Sequence, residues 1–434
     1  MGRFLFYSSP ARGHLYPVVP TLFELRRRGH EVVVKTLTAE VGRLRSLGLE
    51  AAPIDPVIER LEPAPWVTRT PLDGLWNAVQ PLVEPLRRAR ARRRPPVARE
   101  QSRPAVVDVV ERAPHDGRDL RRAVEQERPD AVVVDVNAWG AMAVARQSGL
   151  PFAAWCPCFT AFPSREAPPY GPGFAPARGA LGRLRDRIAG RMLLARKDLR
   201  LRALNEVRRE LGVPPLASLA DVPLEPPLLL YFTAEPLEYP RSDWPAGVRL
   251  VGPGVWSPPE DPPTWLNDIE QPLVLVTCST EYQDDGRLVE VALAALADEP
   301  VEVVATTGAV DPSLFAAPPN ARVARFVPHD HLVERAACVV CHGGMGVTQK
   351  ALSAGVPVCV VPFGRDQRET ARRVEIAGVG TRLSPRRLEP ERLRRAVGLA
   401  MARRDAAREM ADALAAAGGA PAAADALEGL LERE

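Results

Sequence analysis

The chain has 434 residues, 46% of them hydrophobic, and its 57 Lys and Arg nearly balance 54 Asp and Glu for a formal net charge of +3. That length predicts two domains of roughly 200 residues each with full cores, and the charge leaves no electrostatic footprint for nucleic acid. No apolar run reaches the ~20 residues needed to cross a bilayer, and the apolar start is too short for a secretory signal. A cytoplasmic chain with six reduced cysteines and no stable membrane insertion is therefore expected.

Residues 3–7 read as a first strand and Ser8 to Gly13 as a loop. Leu15, Val18, Val19, Leu22 and Leu25 then recur at helical spacing until Gly29, and Glu31 to Lys35 reads as the next strand. This βαβ unit predicts a parallel sheet with right-handed crossovers. The alternation continues through 41–55, breaks over the Pro- and Arg-rich stretch 56–125, and resumes with a strand at 131–134, a helix at 138–147 and a strand at 152–155. A second irregular stretch, 159–180, is dense in Pro and Gly; 181–211 reads as basic helix and 228–232 as strand. The Pro-rich segment 252–272 reads as a linker. Beyond it come a strand at 273–277, a helix at 287–297, strands at 301–306 and 323–326, a helix near 331–337, and late helices at 389–401 and 422–432 with Gly418-Gly419 as the turn between them. The expected organisation is an N-terminal domain (1–251), a linker (252–272), a C-terminal domain (273–415) and a last helix (416–434) able to cross back to the first domain.

The stretch 338–367, CVVCHGGMGVTQKALSAGVPVCVVPFGRDQ, is the richest in chemistry. A buried-type strand runs into His342-Gly343-Gly344, and a helix follows from Gly346 to Ser353. Backbone N–H groups of the turn and the helix N-terminus converge on one spot, and glycine lets a phosphate come close. His342 adds a further donor. Asp366-Gln367 follow the next strand, at the carboxyl end where open α/β sheets bind ligands. The unit reads as a holder for a diphosphate carrying a polyhydroxylated group. In the first loop, His14 follows a strand and opens a helix, whose positive end is expected to keep the imidazole neutral. Asp135 closes a strand of the same sheet and is placed to fix the tautomer of His14 and stabilise its cation.

Other motifs carry less. Cys338, Cys341 and His342 match a haem-attachment spacing, but strand alternation turns the two cysteines to different faces. Cys156-Pro-Cys158 lacks a second ligand pair, and His329-Asp330-His331 reads as a turn and helix cap. No Asp-x-Asp motif stands at a strand end, so no metal is expected, and the adjacent Asp284-Asp285 read as a helix cap. Arg87 to Arg94 reads as a solvated face. The first loop, SSPARGH, lacks the G-x-G-x-x-G of a nicotinamide enzyme. Trp66, Trp76, Trp139 and Phe162 could line an aromatic acceptor pocket, with core packing an equal reading for each.

Taken in order, the segments 13–32, 129–152, 273–280 and 325–367 resemble the GT-B-fold glycosyltransferases that use nucleotide-diphosphate sugars on small lipophilic acceptors. These include the macrolide, polyketide and glycopeptide glycosyltransferases of actinomycetes and the plant flavonoid glucosyltransferases. The resemblance implies an α/β architecture of two Rossmann-like, doubly wound domains facing each other across a cleft. It implies His14 as catalytic base with Asp135 as its partner. Donor contacts would come from Gly13, Ser279, Thr280, Phe326 (on the nucleobase), Val327, His342, Gly343, Gly344, Gly346, Asp366 and Gln367. Asn137 joins the aromatics as an acceptor-binding residue. The implied reaction is an inverting, metal-independent hexosyl transfer in one displacement, with the nucleotide sugar as co-substrate and no other cofactor. UDP-glucose is the favoured donor; a dTDP-deoxysugar transferase or a catalytically silent activator of the same fold are the alternatives. The acceptor would be a polyketide, macrolactam or phenolic molecule, and the protein a monomer or homodimer. Two residues depart from the family pattern: Lys350 stands where most members have a ribose-binding glutamate, and Val347 where many have Ser or Thr. A lysine cannot accept a hydrogen bond.

Overall fold

The computed structural model describes residues 1–61, 109–279, 285–308 and 310–432. Trp66, Trp76, Thr280, Asp284 and the run 87–94 lie outside the described residues. Seven parallel strands form the first sheet: β1 (Arg3–Tyr7), β2 (Glu31–Thr36), β3 (Glu50–Pro53), β4 (Ala131–Asp135), β5 (Phe152–Cys156), β6 (Leu228–Tyr231) and β7 (Val248–Leu250), in the order β3-β2-β1-β4-β5-β6-β7. Six parallel strands form the second: β8 (Leu273–Thr277), β9 (Glu302–Thr306), β10 (Ala321–Ala324), β11 (Ala336–Cys341), β12 (Val358–Val360) and β13 (Gly380–Arg382), in the order β10-β9-β8-β11-β12-β13. The strands are unbroken apolar runs because helices cover both faces of a parallel sheet; every residue of β4, β5 and β8 is buried. Alternate residues feed different cores. Phe4 and Phe6 go to one side of the first sheet, Leu5 and Tyr7 to the other. Cys338 and Cys341 likewise point to opposite sides of the second sheet.

Each sheet has one place where chain order reverses, between β1 and β4 and between β8 and β11. Such a switch point opens a crevice beyond the carboxyl ends of its strands. Tyr7 pairs in register with Val134, which sets the loop after β1 beside Asp135. Thr277 pairs with Cys341, which sets Ser279 beside His342. The two crevices meet: the Phe159 N–H bonds to the Asp366 carboxylate, and Gln349 Nε2 donates to the Phe232 carbonyl at 2.8 Å.

Three differences from the sequence reading matter. Residues Val109–Glu127, read as irregular, form a 19-residue helix that contains Pro114. It packs so closely on the helix Trp139–Gln147 that a Cβ on Gly140 would stand 1.7 Å from the Ala113 carbonyl oxygen. The basic stretch 181–211 is two helices, Gly179–Asp198 and Leu201–Glu210. A helix at Arg404–Ala416 precedes the last one, Gly419–Leu431, which returns to the first sheet. There Ala423, Ala424, Leu427 and Leu430 join the core around Leu22 and Leu25, and Arg28 pairs with Asp425 and Glu428 at 2.6 Å.

Candidate active site

Loop 8–15 folds back over the carboxyl end of β1 and closes in a four-residue helix, Arg12–Leu15. The indole N–H of Trp155 donates to the His14 carbonyl at 3.0 Å and fixes the backbone there. The ring Nδ1 of His14 lies 2.9 Å from Asp135 Oδ2 and 3.0 Å from Oδ1. Asp135 is fully buried, whereas the His14 side chain keeps 17% of its surface open to the cleft. Asp135 also accepts the Asn137 N–H at 2.8 Å. Burial opposes the imidazolium, but the adjoining Asp135 carboxylate prevails and raises His14 to about 9. Asp135, which burial alone would push up, is held below the usual carboxylate range by His14 and the Asn137 amide. The expectation of a ring kept neutral by a helix end is thus overturned. The helix is only one turn long, so its end carries little dipole, and the adjoining carboxylate is the dominant charge.

Behind this pair stands Arg112, which the sequence reading missed because it lies in the stretch taken as irregular. Its guanidinium donates to Asp116 Oδ2 at 2.7 Å, to Ser9 Oγ at 3.1 Å and to the Asn137 carbonyl. It therefore ties the loop bearing His14 to the loop after Asp135. Asn137 faces the other ring nitrogen, with Nδ2 at 3.3 Å from His14 Nε2.

On the second sheet, β11 runs into His342-Gly343-Gly344, and Gly344 starts the helix Met345–Ser353 with no side chain capping it. Gly343 has φ +94°, and a Cβ there would press to 2.7 Å from Val360 Cγ1. A Cβ on Gly344 would fall 2.6 Å from His342 Nε2, so glycine lets the imidazole lie over the turn. Gly13 and Gly346 meet no such obstacle. Burial pushes His342 down to about 4, so the ring is neutral at pH 7, and among the described residues its Nδ1 has no hydrogen-bond partner. Ser279 is buried, and its N–H donates to Asp285 Oδ2 at 2.6 Å. Asp285 precedes the helix Gly286–Leu296 but does not cap it; its carboxylate is turned to the loop at 279 instead. Phe326 is 57% exposed, an open aromatic face, and Val327 beside it is buried.

Gln367 Oε1 accepts the N–H groups of Phe363 and Gly364, at 2.7 and 2.9 Å, so its carbonyl shapes its own loop. Asp366 is half-buried, and burial raises its carboxyl. Lys350 pairs with Asp330 and Ser257 Oγ and reaches the Trp256 carbonyl at 3.4 Å, which joins the helix Met345–Ser353 to the 252–272 segment. Asp330 is accordingly an ion-pair partner and not the helix cap expected of it.

On the acceptor side, Trp139 opens the helix Trp139–Gln147 and packs on the core. Phe162 stands edge-on to Tyr231 and Trp244, with centroids at 5.3 and 5.8 Å. Sequence reasoning missed Trp244 and also Tyr170, whose phenol burial pushes well above its ordinary range, with the Asp366 charge adding to the effect. Tyr170 lies in the Pro/Gly-rich stretch, where periodicity gives no signal. Among the described residues, no group of three or more His, Cys, Asp and Glu side chains is placed to hold a metal ion, and no helix is long and apolar enough to cross a membrane.

Two doubly wound parallel sheets, with a glycine turn at one switch point and a His–Asp pair at the other, make the architecture of the GT-B fold. Residues 290–430 match the family model described as erythromycin biosynthesis protein CIII-like, C-terminal domain. The chain is 33% identical over 404 residues to 4'-demethylrebeccamycin synthase of Lentzea aerocolonigenes, covering 91% of this chain and 90% of that one. It is 35% identical over 305 residues to a PGL/p-HBAD biosynthesis rhamnosyltransferase of Mycobacterium bovis, covering 67% and 65%. Among solved structures, the calicheamicin glycosyltransferase CalG4 superposes with a TM-score of 0.70 at 23% identity, covering 100% and 99% of the two chains. The glycosyltransferase VinC in complex with dTDP gives 0.66 at 22% identity, covering 100% of both. The chain belongs to the natural-product glycosyltransferases of the macrolide and antibiotic type.

Proposed function

We propose that the chain transfers a 6-deoxyhexose from a dTDP-sugar to a hydroxyl of a lipophilic natural product, with inversion and His14 as base. The observation that carries the reading is the buried Asp135 carboxylate 2.9 Å from His14 Nδ1, at a switch point that opens onto Asp366. An acceptor hydroxyl bonded to Nε2 gives its proton to the ring as its oxygen attacks the anomeric carbon. Asp135 stabilises the imidazolium that forms. The bond from the anomeric carbon to the diphosphate breaks on the opposite face. Charge then grows on the phosphates, opposite the backbone donors of 343–346, while the neutral His342 contributes hydrogen bonding rather than charge. A silent activator would have no use for this pair.

Two points support a thymidine donor. Gln367 already spends its carbonyl on Phe363 and Gly364, which leaves fewer contacts for a fully hydroxylated sugar. The related proteins include a rhamnosyltransferase and a dTDP complex. UDP-glucose is the second reading, favoured by the presence of Asp366 and Gln367 at the end of the site. Competition between dTDP-rhamnose and UDP-glucose over a panel of polyketide, macrolactam and phenolic acceptors, with product mass detection, decides the matter. A kcat/KM for UDP-glucose about tenfold the higher, roughly 1.4 kcal/mol in transition-state binding, sinks the thymidine reading.

A further inference from the structure

The segment 159–180 of the first domain lies on the helix Gln367–Ala377 of the second, the helix that opens at Asp366 and Gln367. The N–H groups of Gly171 and Gly173 both donate to Glu369 Oε1, at 2.7 and 2.8 Å. Arg372 Nε donates to the Gly173 carbonyl at 2.8 Å. Glycine is required for this approach: Gly171 has φ +123°, Gly173 has φ +67°, and a Cβ on Gly173 would stand 2.5 Å from the Arg368 carbonyl oxygen. The second oxygen of Glu369 accepts Arg373 Nη1 at 2.9 Å. Arg373 in turn donates through Nε and Nη2 to Glu238 Oε1, at 2.9 and 2.7 Å, and Tyr231 Oη donates to Glu238 Oε2 at 2.8 Å. Glu369, Arg373 and Glu238 are 1%, 6% and 3% exposed. Burying two carboxylates and a guanidinium is costly, and the cost is offset only when their polar atoms are matched. Here the matching joins one domain to the other. Glu369 sits one helical turn past Asp366, so the acceptor-side segment and the sugar-facing pair are held by the same turn.

We propose that Glu369 is a positioning residue that clamps the 159–173 segment against the donor-sugar helix, so that Phe162 and Tyr170 close the cleft and keep water from the activated sugar. This rests on the sugar-transfer reading. When the clamp is lost, water takes the place of the acceptor hydroxyl. The anomeric carbon's bond to the diphosphate breaks, a bond to the water oxygen forms, the released proton passes to His14, and free sugar and nucleoside diphosphate leave.

The test measures glycoside, free sugar and nucleoside diphosphate for Glu369→Ala and Glu369→Gln. In Glu369→Ala the ratio of free sugar to glycoside and the acceptor KM each rise about tenfold, while donor KM stays within about threefold. Glu369→Gln keeps an oxygen that both glycines can reach and restores both quantities to within about threefold of the parent. Glu369→Asp, too short to reach the glycines yet still charged toward Arg373, is read in place of Glu369→Ala if the latter does not fold. An unchanged product ratio beside a uniformly lower kcat overturns the proposal. Hydrogen exchange across 159–178 tests the clamp without any sugar chemistry: faster exchange in Glu369→Ala but not in Glu369→Gln supports it, and equal exchange overturns it. A wild-type chain that transfers no sugar, yet shows that exchange pattern, refutes the functional reading and leaves the clamp standing.

Discussion

Asn137 Nδ2 stands 3.3 Å from His14 Nε2, the one ring nitrogen that Asp135 leaves open. In the proposed transfer the acceptor hydroxyl bonds to that same nitrogen, which sets its oxygen beside the Asn137 amide, a donor able to hold it. Asn137→Ala is expected to lower kcat/KM for the acceptor about tenfold, the worth of one such hydrogen bond, while dissociation constants for nucleoside diphosphates stay unchanged. Steady-state kinetics with calorimetric nucleotide titration checks both.

The His14–Asp135 pair fixes the pH dependence. With His14 raised to about 9, the free base is about one part in a hundred of the protein at pH 7, and kcat/KM climbs with pH until about 9. Asp135→Asn removes the raising charge; the acid limb moves to lower pH while the plateau falls about 10²-fold or more, since the ring loses its orienter. His14→Ala costs about 10²–10⁴ in kcat with nucleotide affinity retained. The pair also stabilises the fold. A base whose pKa is higher folded than unfolded contributes fully below its ordinary value of 6.5, and that contribution is lost as pH rises through about 9. The Tm advantage of the parent over His14→Gln should therefore shrink between pH 6 and about 9.5. A constant difference across that window would contradict it.

The strands read at 131–134, 273–277 and 338–341 are legible in the sequence because parallel strands must be apolar on both faces, and runs of Val, Leu, Ala and Cys say so; the third starts earlier, at Ala336, where the sequence reads as helix. The meeting of His14 with Asp135 is legible for a related reason: His14 lies in the loop after β1, and Asp135 ends the neighbouring strand at the same carboxyl edge. The helix Val109–Glu127 is not. Its inward positions include Val110, Ala113, Gly117, Leu120 and Ala123, mostly small, and Pro114 with the surrounding arginines obscures the period. The sign of the His14 shift is also hidden, because the buried carboxylate outweighs any local helix effect only once the fold brings it within 3 Å. The Glu369, Arg373 and Glu238 network is least legible, since its members lie up to 135 residues apart and meet only through the docking of two domains.

Lys350 is a structural cation here. Its side chain is 11% exposed and that of its partner Asp330 42%, so the pair is partly screened. Lys350→Glu sets a second carboxylate against Asp330 and releases Ser257. The variant should melt a few degrees lower and bind nucleoside diphosphates no more tightly than the parent. The exchanged pair Lys350→Glu with Asp330→Lys should recover most of the Tm. Tighter nucleotide binding by the single variant would instead mark position 350 as a ribose contact.

The helix crossing at Gly140 gives the sharpest stability contrast. A Cβ there meets the backbone of Ala113 at 1.7 Å from oxygen and 2.6 Å from carbon, so no side-chain rotation relieves it and the two helices must part. Overpacking of this kind costs roughly 3 kcal/mol or more. The neighbouring residue Arg112 holds both Ser9 and the Asn137 carbonyl, so parting the helices also loosens the loops that carry His14 and follow Asp135. Gly140→Ala should therefore lose activity in the fraction that stays folded, beyond its lower Tm. Gly398→Ala is the control. It lies within the helix Pro390–Met401, and its Cβ would meet nothing within 4 Å, so the change should be stabilising by about 0.5–1 kcal/mol with unaltered kinetics. Equal Tm values for the two variants would mean that the helices do not cross at Gly140 as described.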